Sequence, residues 1–370
     1  MSSGQPPKVW VLLGKGAGGN AQMLNLVAAL GWPHETRQLE FYAWNVIPNI
    51  LVGASLFTLT RKSSATLSPP WPDLVIAASR RSVPIARWIR KQSCNRTRLV
   101  HLFHTMAPFN WFDLIITLPQ YGLPERPNIL QLTMPLHRLP RAKIAAAAAK
   151  WEPRLRALPR PWFAVLIGGN SSRYLLNAKT ALRLAREASA WAMEAGGSLL
   201  VSTSPRTSSQ AANASIEAIF VPRHVYRWQP DDSDNPYLAY IGLADGFMVT
   251  ADSASQLAEA FATGRTVRIF NLPLRPQQRF SPVAILHGWL NKSPGSDSPF
   301  RRLMRSAYER LIEEGFVKPP RDFARYHSLL RGRSAVRAPA HPAGAAQEFD
   351  DLDRAVAAVR ELFGAKERAS

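Results

Sequence analysis

Asn235 to Val267 reads NPYLAYIGLADGFMVTADSASQLAEAFATGRTV. Within it, Gly246 to Thr250 (GFMVT) is a short apolar run of the kind that forms a buried parallel strand. Ala251-Asp252-Ser253-Ala254-Ser255 interrupts it, and Gln256 to Thr263 then has helical spacing, with Leu257, Ala260 and Phe261 on one face. Gly264 is placed to stop that helix, and Thr266 to Phe270 starts another strand. A strand feeding a helix puts Asp252, Ser253 and Ser255 at the carboxyl edge of a parallel sheet. Open α/β sheets bind ligands there, and free helix N–H groups favour an anion. The plainer reading makes Asp252 or Ser253 an N-cap and nothing more.

The same unit recurs along the chain. Val9 to Leu13 (VWVLL) runs into Gly14-Lys15-Gly16-Ala17-Gly18-Gly19-Asn20, and Ala21 to Leu30 reads as a helix ended by Gly31. Trp162 to Ile167 (WFAVLI) runs into Gly168-Gly169-Asn170-Ser171-Ser172, then a helix from Tyr174 to Ala195. After the first unit come strands at Asp73 to Ala77, Arg98 to Phe103, Asp113 to Leu118 and Asn128 to Leu132. After the second come Ser198 to Ser202 and Ala218 to Pro222, then the acidic loop Asp231 to Asp234 and a helix from Leu238. Two such halves predict an α/β protein of two Rossmann-like, doubly wound domains facing across a cleft. The expected divisions are an N-terminal domain over residues 1–140, a helical linker over 141–160, a C-terminal domain over 161–290, and helices and tail over 291–370. The linker rests on the alanine-rich Arg138 to Pro161. The last division rests on the amphipathic runs Phe300 to Glu314 and Asp350 to Phe363, with a loop at Pro339 to Gly344 between them.

Forty-six Lys and Arg against 26 Asp and Glu give a net charge of +20, a field that favours anionic partners. The cations are dispersed and no nucleic-acid-binding signature is present, which points away from nucleic acid and toward phosphorylated substrates or anionic lipid. Cys94 is the only cysteine, so neither an intramolecular disulfide nor a thiolate metal cluster is expected. With neither a signal segment nor a long uninterrupted apolar run, a cytoplasmic protein is expected, with a peripheral position on the inner membrane as a second placement.

Gly14, Gly16 and Gly19 satisfy G-x-G-x-x-G in a strand-to-helix setting, the mark of a dinucleotide site. Against NAD, Glu35 is read as preceding the second strand and Glu40 as lying inside it, so neither acid sits at its end. A glycine loop that lets backbone approach an acceptor is the alternative. Phe41 to Arg61 reads as a buried helix broken at Pro48, or as a membrane-surface contact through Phe41, Tyr42 and Trp44. Arg80 and Arg81, past a strand end, are placed to clamp a phosphate or carboxylate, unless they are solvated surface cations. His101, His104 and His137 lack metal-ligand spacing, and no metal site is expected. His104, past a strand end, is the histidine candidate for a base.

Gly168-Gly169, Ser202 to Thr207 with its Arg-Thr pair, Asn235-Pro236-Tyr237, and TADSASQLAEAFATGR at Thr250 to Arg265 together resemble the mitochondrial-fission (elongated-mitochondria) family, over roughly residues 8–320. That family is similar to GT-B glycosyltransferases, which have two Rossmann-like domains and hold a nucleotide-sugar in the second. The resemblance implies a metal-independent transferase that needs no cofactor beyond its nucleotide-diphosphate sugar, acting on a lipid-linked or lipopolysaccharide-core acceptor. A non-catalytic recruiting protein and a NAD-dependent nucleotide-sugar epimerase are the alternatives. On this resemblance Gly168, Gly169, Asn170, Arg206, Thr207, Asn235, Tyr237, Asp252, Ser253, Ser255, Gln256 and Glu259 line the donor site. Arg206 would offset the leaving diphosphate, and Glu259 would hold a ribose. Gly16, Gly18, Gly19, Gln22, Arg80 and Arg81 fall on the acceptor side, with Asn20 and His104 as catalytic candidates. The family's N-terminal loop runs close to Asp-Gly-Lys-Ala-Gly with a glutamine four residues on. Here Gln22 keeps its place but the aspartate is absent, so the resemblance assigns no catalytic base.

Overall fold

The computed structural model describes residues 5–43, 47–137, 141–171, 173–276, 281–290, 298–323, 326–328 and 351–364. The chain divides into two compact units. Unit 1 combines Met1–His137 with Pro282–Tyr326 and Asp350–Ser370, and unit 2 combines Arg138–Ser281 with His327–Phe349.

Unit 1 is built on β1 (Val9–Leu13), β2 (His34–Gln38), β3 (Leu74–Ala77), β4 (Arg98–Leu102), β5 (Leu114–Thr117) and β6 (Ile129–Gln131). All pair in parallel, in the order β2-β1-β3-β4-β5-β6. Strand residues alternate between two cores. Trp10, Leu12, Val75 and Ala77 pack with α4 (Val83–Gln92), while Val9, Val11, Leu74 and Ile76 pack with α1 (Ala17–Leu30) and the helix Asp351–Gly364. β1, β3 and β5 are apolar at successive positions because both faces are covered, whereas the edge strand β2 (HETRQ) is polar and half exposed.

Unit 2 follows the same plan with β7 (Trp162–Leu166), β8 (Ser198–Ser202), β9 (Arg223–Tyr226), β10 (Gly246–Thr250) and β11 (Thr266–Phe270). Its parallel order is β11-β10-β7-β8-β9. Helices α6 (Ala178–Glu194), α7 (Ser209–Glu217), α8 (Tyr237–Leu243) and α9 (Ala254–Ala262) connect these strands.

Several elements differ from expectation. α1 begins at Ala17, so Gly18, Gly19 and Asn20 lie in its first turn and not in a loop. Glu35 lies inside β2 and Glu40 lies beyond its end, the reverse of the sequence reading. The run from Phe41 forms no buried helix. Phe41 bridges Leu59, Tyr42 N–H donates to Thr58 O at 3.0 Å, and among the described residues of this run only α2 (Asn49–Val52) and α3 (Arg61–Ser64) are helical. Pro48 lacks a donor, and Gly53 turns away at φ 63°, so the apolar composition has no continuous helix to occupy. Leu51 and Phe57 are left 75% and 62% exposed. The strand expected at Ala218 to Pro222 forms instead at Arg223–Tyr226. The helix expected as a linker, α5 (Arg141–Leu155), packs on α8 inside unit 2, and Lys150 and Arg154 pair with Asp234. The helices Pro282–Leu290, Pro299–Glu313 and Asp351–Gly364 return to unit 1. Trp44, Ser172 and the loop Pro339 to Gly344 lie outside the described residues.

Candidate functional site in the second sheet

In unit 2 the chain leaves β7 toward β8 on one side and β10 lies on the other, so the loops after β7 and β10 meet where the strand order reverses. That is the position at which open α/β sheets bind ligands. Gly168 N–H donates to Thr250 Oγ1 at 2.8 Å, and Gly169 N–H donates to Asp252 Oδ2 at 3.0 Å. The loop after β8 closes on the same turn. Ser204 Oγ donates to Gly168 O at 2.6 Å, Thr207 Oγ1 donates to that carbonyl too, and Asn170 N–H donates to Arg206 O at 3.1 Å. Three loops that sequence could place only one at a time are thus joined by hydrogen bonds.

The glycine pair answers first to this internal closure. A Cβ on Gly168 would lie 2.4 Å from the Asp252 carboxylate oxygens, and one on Gly169 would lie 2.1 Å from Arg206 O. Both glycines are required by neighbouring protein before any ligand is considered. Asp252 is an internal clasp as well. Its side chain is fully buried, and Oδ2 lies 2.7 Å from Nη1 of the 40%-exposed Arg206, while Oδ1 has no hydrogen bond.

Neither Asp252 nor Ser253 caps α9, which answers the question left open by the sequence. Ser253 occupies the N-cap position without a side-chain hydrogen bond, and the first turn holds no acid. The N–H groups at the start of α9, Ser255 among them, therefore have no capping side chain. Gln256 Oε1 is buried and unpaired.

Tyr237 and Glu259 come together from α8 and α9. The Tyr237 hydroxyl donates to Glu259 Oε2, and Asn235 Oδ1 accepts the Tyr237 N–H at 2.9 Å. Burial raises the Glu259 carboxyl to about 7, against a smaller lowering by the tyrosine hydrogen bond. Burial and the neighbouring carboxyl push the tyrosine hydroxyl well above its ordinary range. Glu259, expected as a ribose contact, is thus engaged by protein. Part of the long motif is also structural: Arg265 donates to the carbonyls of Ile241, Gly242 and Ala244, closing the end of α8. Sequence reasoning missed Thr250, Ser204 and His327, whose Nε2 lies 3.2 Å from Ala251 O. A threonine ending an apolar strand was the available signal for the first; nothing local marked His327.

In unit 1, Asn20 closes the glycine loop on itself. Its Nδ2 donates to Gly14 O at 2.7 Å and its Oδ1 accepts Gly14 N–H at 3.1 Å. Gln22 Oε1 accepts Leu136 N–H at 3.1 Å, and a Cβ on Gly19 would lie 3.5 Å from Ala78. Gly16 stands at the N-cap of α1 without a side-chain cap, and Gly18 has open space around it. Arg80 and Arg81 sit on a single 3-10 turn, with Arg80 partly buried and Arg81 exposed. His104 is 7% exposed, and its Nδ1 accepts the Met106 N–H at 2.9 Å. Burial, then Lys318, lowers it to about 3, so it is a neutral, internal histidine. Its Nε2 is buried away from solvent, a poor position from which to accept a substrate proton.

A family model described as mitochondrial fission ELM1 matches residues 17–311. The chain belongs to the mitochondrial fission ELM1 family. It is 27% identical over 220 residues to mitochondrial fission protein ELM1 of Arabidopsis thaliana, a match covering 54% of this chain and 51% of that protein. The chain thus spans about half the length of that relative. An uncharacterized protein of Rickettsia prowazekii (strain Madrid E) is 24% identical over 299 residues, covering 72% of this chain and 83% of that one. Among solved structures, a UDP-glucosyltransferase from Polygonum tinctorium aligns with a TM-score of 0.51 at 12% identity, over 98% of this chain and 100% of that one. A UDP-GlcNAc 2-epimerase from Neisseria meningitidis bound to UDP-GlcNAc aligns with a TM-score of 0.43 at 10% identity, over 89% of this chain and 100% of that one. The first of these likenesses shows the fold: this ELM1-family chain is α/β with two parallel-sheet, Rossmann-like domains. No helix among the described residues is long and apolar enough to cross a membrane.

Proposed function

We propose that this ELM1-family protein binds a nucleotide-diphosphate sugar in unit 2 and transfers the sugar to an acceptor at a membrane surface. One observation carries the reading. The partly exposed Arg206 guanidinium, the Gly168–Gly169 turn and the uncapped start of α9 belong to loops that meet where the strand order of the second sheet reverses. A diphosphate is the group that such a set of donors suits. In transfer, an acceptor oxygen forms a bond to the anomeric carbon as the bond to the nucleoside diphosphate breaks, and negative charge collects on the departing phosphate. Arg206 lies where it would offset that charge; its Nη1 is held by Asp252, which leaves its other N–H groups for the ligand. UDP or GDP is expected to raise the melting temperature, and Arg206→Ala to abolish the rise. Absence of a shift with every nucleotide tried would sink the reading, and transfer that persists in EDTA would support its metal-independent form.

A second reading, binding and recruitment without chemistry, is favoured by the internal engagement of the candidate groups. Asn20 is committed to the Gly14 loop, His104 is buried and neutral, and Glu259 is tied to Tyr237. Nucleotide binding without turnover of any nucleotide-sugar would select it.

A further inference from the structure

Unit 1 carries a second concentration of cations that the nucleotide reading does not use. Its sheet reverses order between β1 and β3, and Arg80 stands just past β3. The segment after Glu313 is drawn over the neighbouring strand ends. A Cβ on Gly315 would lie 2.3 Å from Ala107 N, and Asp322 N–H donates to Gln120 O at 2.8 Å. Lys318 and Arg321 lie between these two anchor points. The Arg321 guanidinium lies 5.0 Å over the Tyr121 ring, whose face stacks on Phe103 at 5.2 Å. Phe103 in turn lies 3.6 Å from where a Cβ on Gly19 would stand, in the first turn of α1. One aromatic platform therefore joins the start of α1 to the Lys318–Arg321 segment.

Among the described residues neither Lys318 nor Arg321 has a carboxylate partner. Burial lowers the Lys318 ammonium, and Arg321 and Arg80 lower it further, so positive charges act on one another across the patch. Beneath it, His104 stays neutral, which leaves the charge on side chains that reach solvent. Like charges held together on fixed backbone cost stability unless an anion occupies the space between them.

We infer that Lys318 and Arg321 form a binding site for a phosphate group in unit 1, on the Phe103–Tyr121 platform. Arg321 offers a planar fork, and Lys318 a point charge, to the same anion. On the proposed function this phosphate belongs to the acceptor, and only that role rests on the reading; the site itself does not.

The test uses inorganic phosphate, glycerol 3-phosphate, and vesicles of phosphatidylcholine with and without phosphatidic acid. The proteins are the full chain, its Lys318→Gln/Arg321→Gln double variant, and Arg206→Ala. Phosphate should stabilise the full chain beyond sodium chloride of equal ionic strength. The double variant should bind about tenfold or more weakly, and Arg206→Ala should retain the effect. Soluble phosphates binding as well as vesicles would identify a free phosphorylated ligand; a response to phosphatidic-acid vesicles alone would identify a lipid headgroup. Either supports the site. Equal responses to phosphate and chloride, or full phosphate binding by the double variant, would overturn it. UDP binding measured on the same proteins reports unit 2 independently, so loss of one response leaves the other readable.

Discussion

Nη1 of Arg206 lies 2.7 Å from Oδ2 of Asp252, and that same carboxylate oxygen accepts the Gly169 N–H at 3.0 Å. The candidate phosphate-binding cation is thus already paired with an anion of the protein. A bound diphosphate would have to share Arg206 with Asp252. Asp252→Asn keeps an acceptor for Gly169 but removes the competing charge. UDP is therefore expected to bind the variant more tightly, by about tenfold or more, since a charged hydrogen bond is worth about 1.5–3 kcal/mol. Titration calorimetry reads this directly, and weaker binding would mean that Asp252 holds the ligand itself.

Arg206→Ala leaves the buried Asp252 carboxylate without its cation. Because Arg206 is 40% exposed and water can take its place, the expected cost is about 1–3 kcal/mol, below that of a fully buried pair. Urea unfolding of the variant without nucleotide measures it.

Gly168→Ala and Gly169→Ala should both destabilise unit 2 in the absence of ligand. The added methyl would fall 2.4 Å from the Asp252 carboxylate in one and 2.1 Å from Arg206 O in the other. The second meets backbone, which yields less than a side chain, so its loss should be the larger, at about 3 kcal/mol or more. Hydrogen exchange at β7 and β10 would locate the damage. If exchange there stays protected and only nucleotide binding falls, the glycines serve the ligand alone.

The two units should respond to acid in opposite directions. Glu259 has a folded value of about 7 against 4.5 for a free carboxyl, so its contribution is complete below 4.5 and lost as pH rises through 7. His101 and His104, at about 4 and 3 against 6.5, contribute fully above 6.5 and lose that contribution as pH falls through their folded values. Each histidine adds a slope of up to about 1.4 kcal/mol per pH unit to unit 1 as it acidifies. Glu259→Gln should flatten the unit 2 dependence between pH 4.5 and 7, read by hydrogen exchange of β10. His104→Asn, which offers Met106 an acceptor, should reduce the acid slope of unit 1.

Most of the sheet framework was legible, because a strand covered on both faces needs an unbroken apolar run, and Val9–Leu13, Leu74–Ala77 and Gly246–Thr250 are such runs. The loops after β7, β8 and β10 were legible one by one. Their closure was not: nothing near Gly168 in sequence announces that Thr250 and Asp252 take up its turn. Composition misleads at Phe41 to Arg61, where apolar content without helical spacing suggests a buried helix as one of its two readings. The packing of α5 on α8, and the return of the last helices to the first sheet, are long-range pairings that a local pattern does not encode.

The route of the chain has a consequence for synthesis. Asp351, near the end, accepts the Thr133 and Met134 N–H groups at 2.9 and 2.7 Å, and its helix covers one face of the first sheet. The first sheet leaves the ribosome early but waits for this helix before that face is closed. The second sheet, made from one continuous stretch within Arg138–Ser281, has all its strands together much sooner. The second sheet should therefore be complete first, and until the helix Asp351–Gly364 emerges the first sheet exposes apolar surface that a chaperone would recognise.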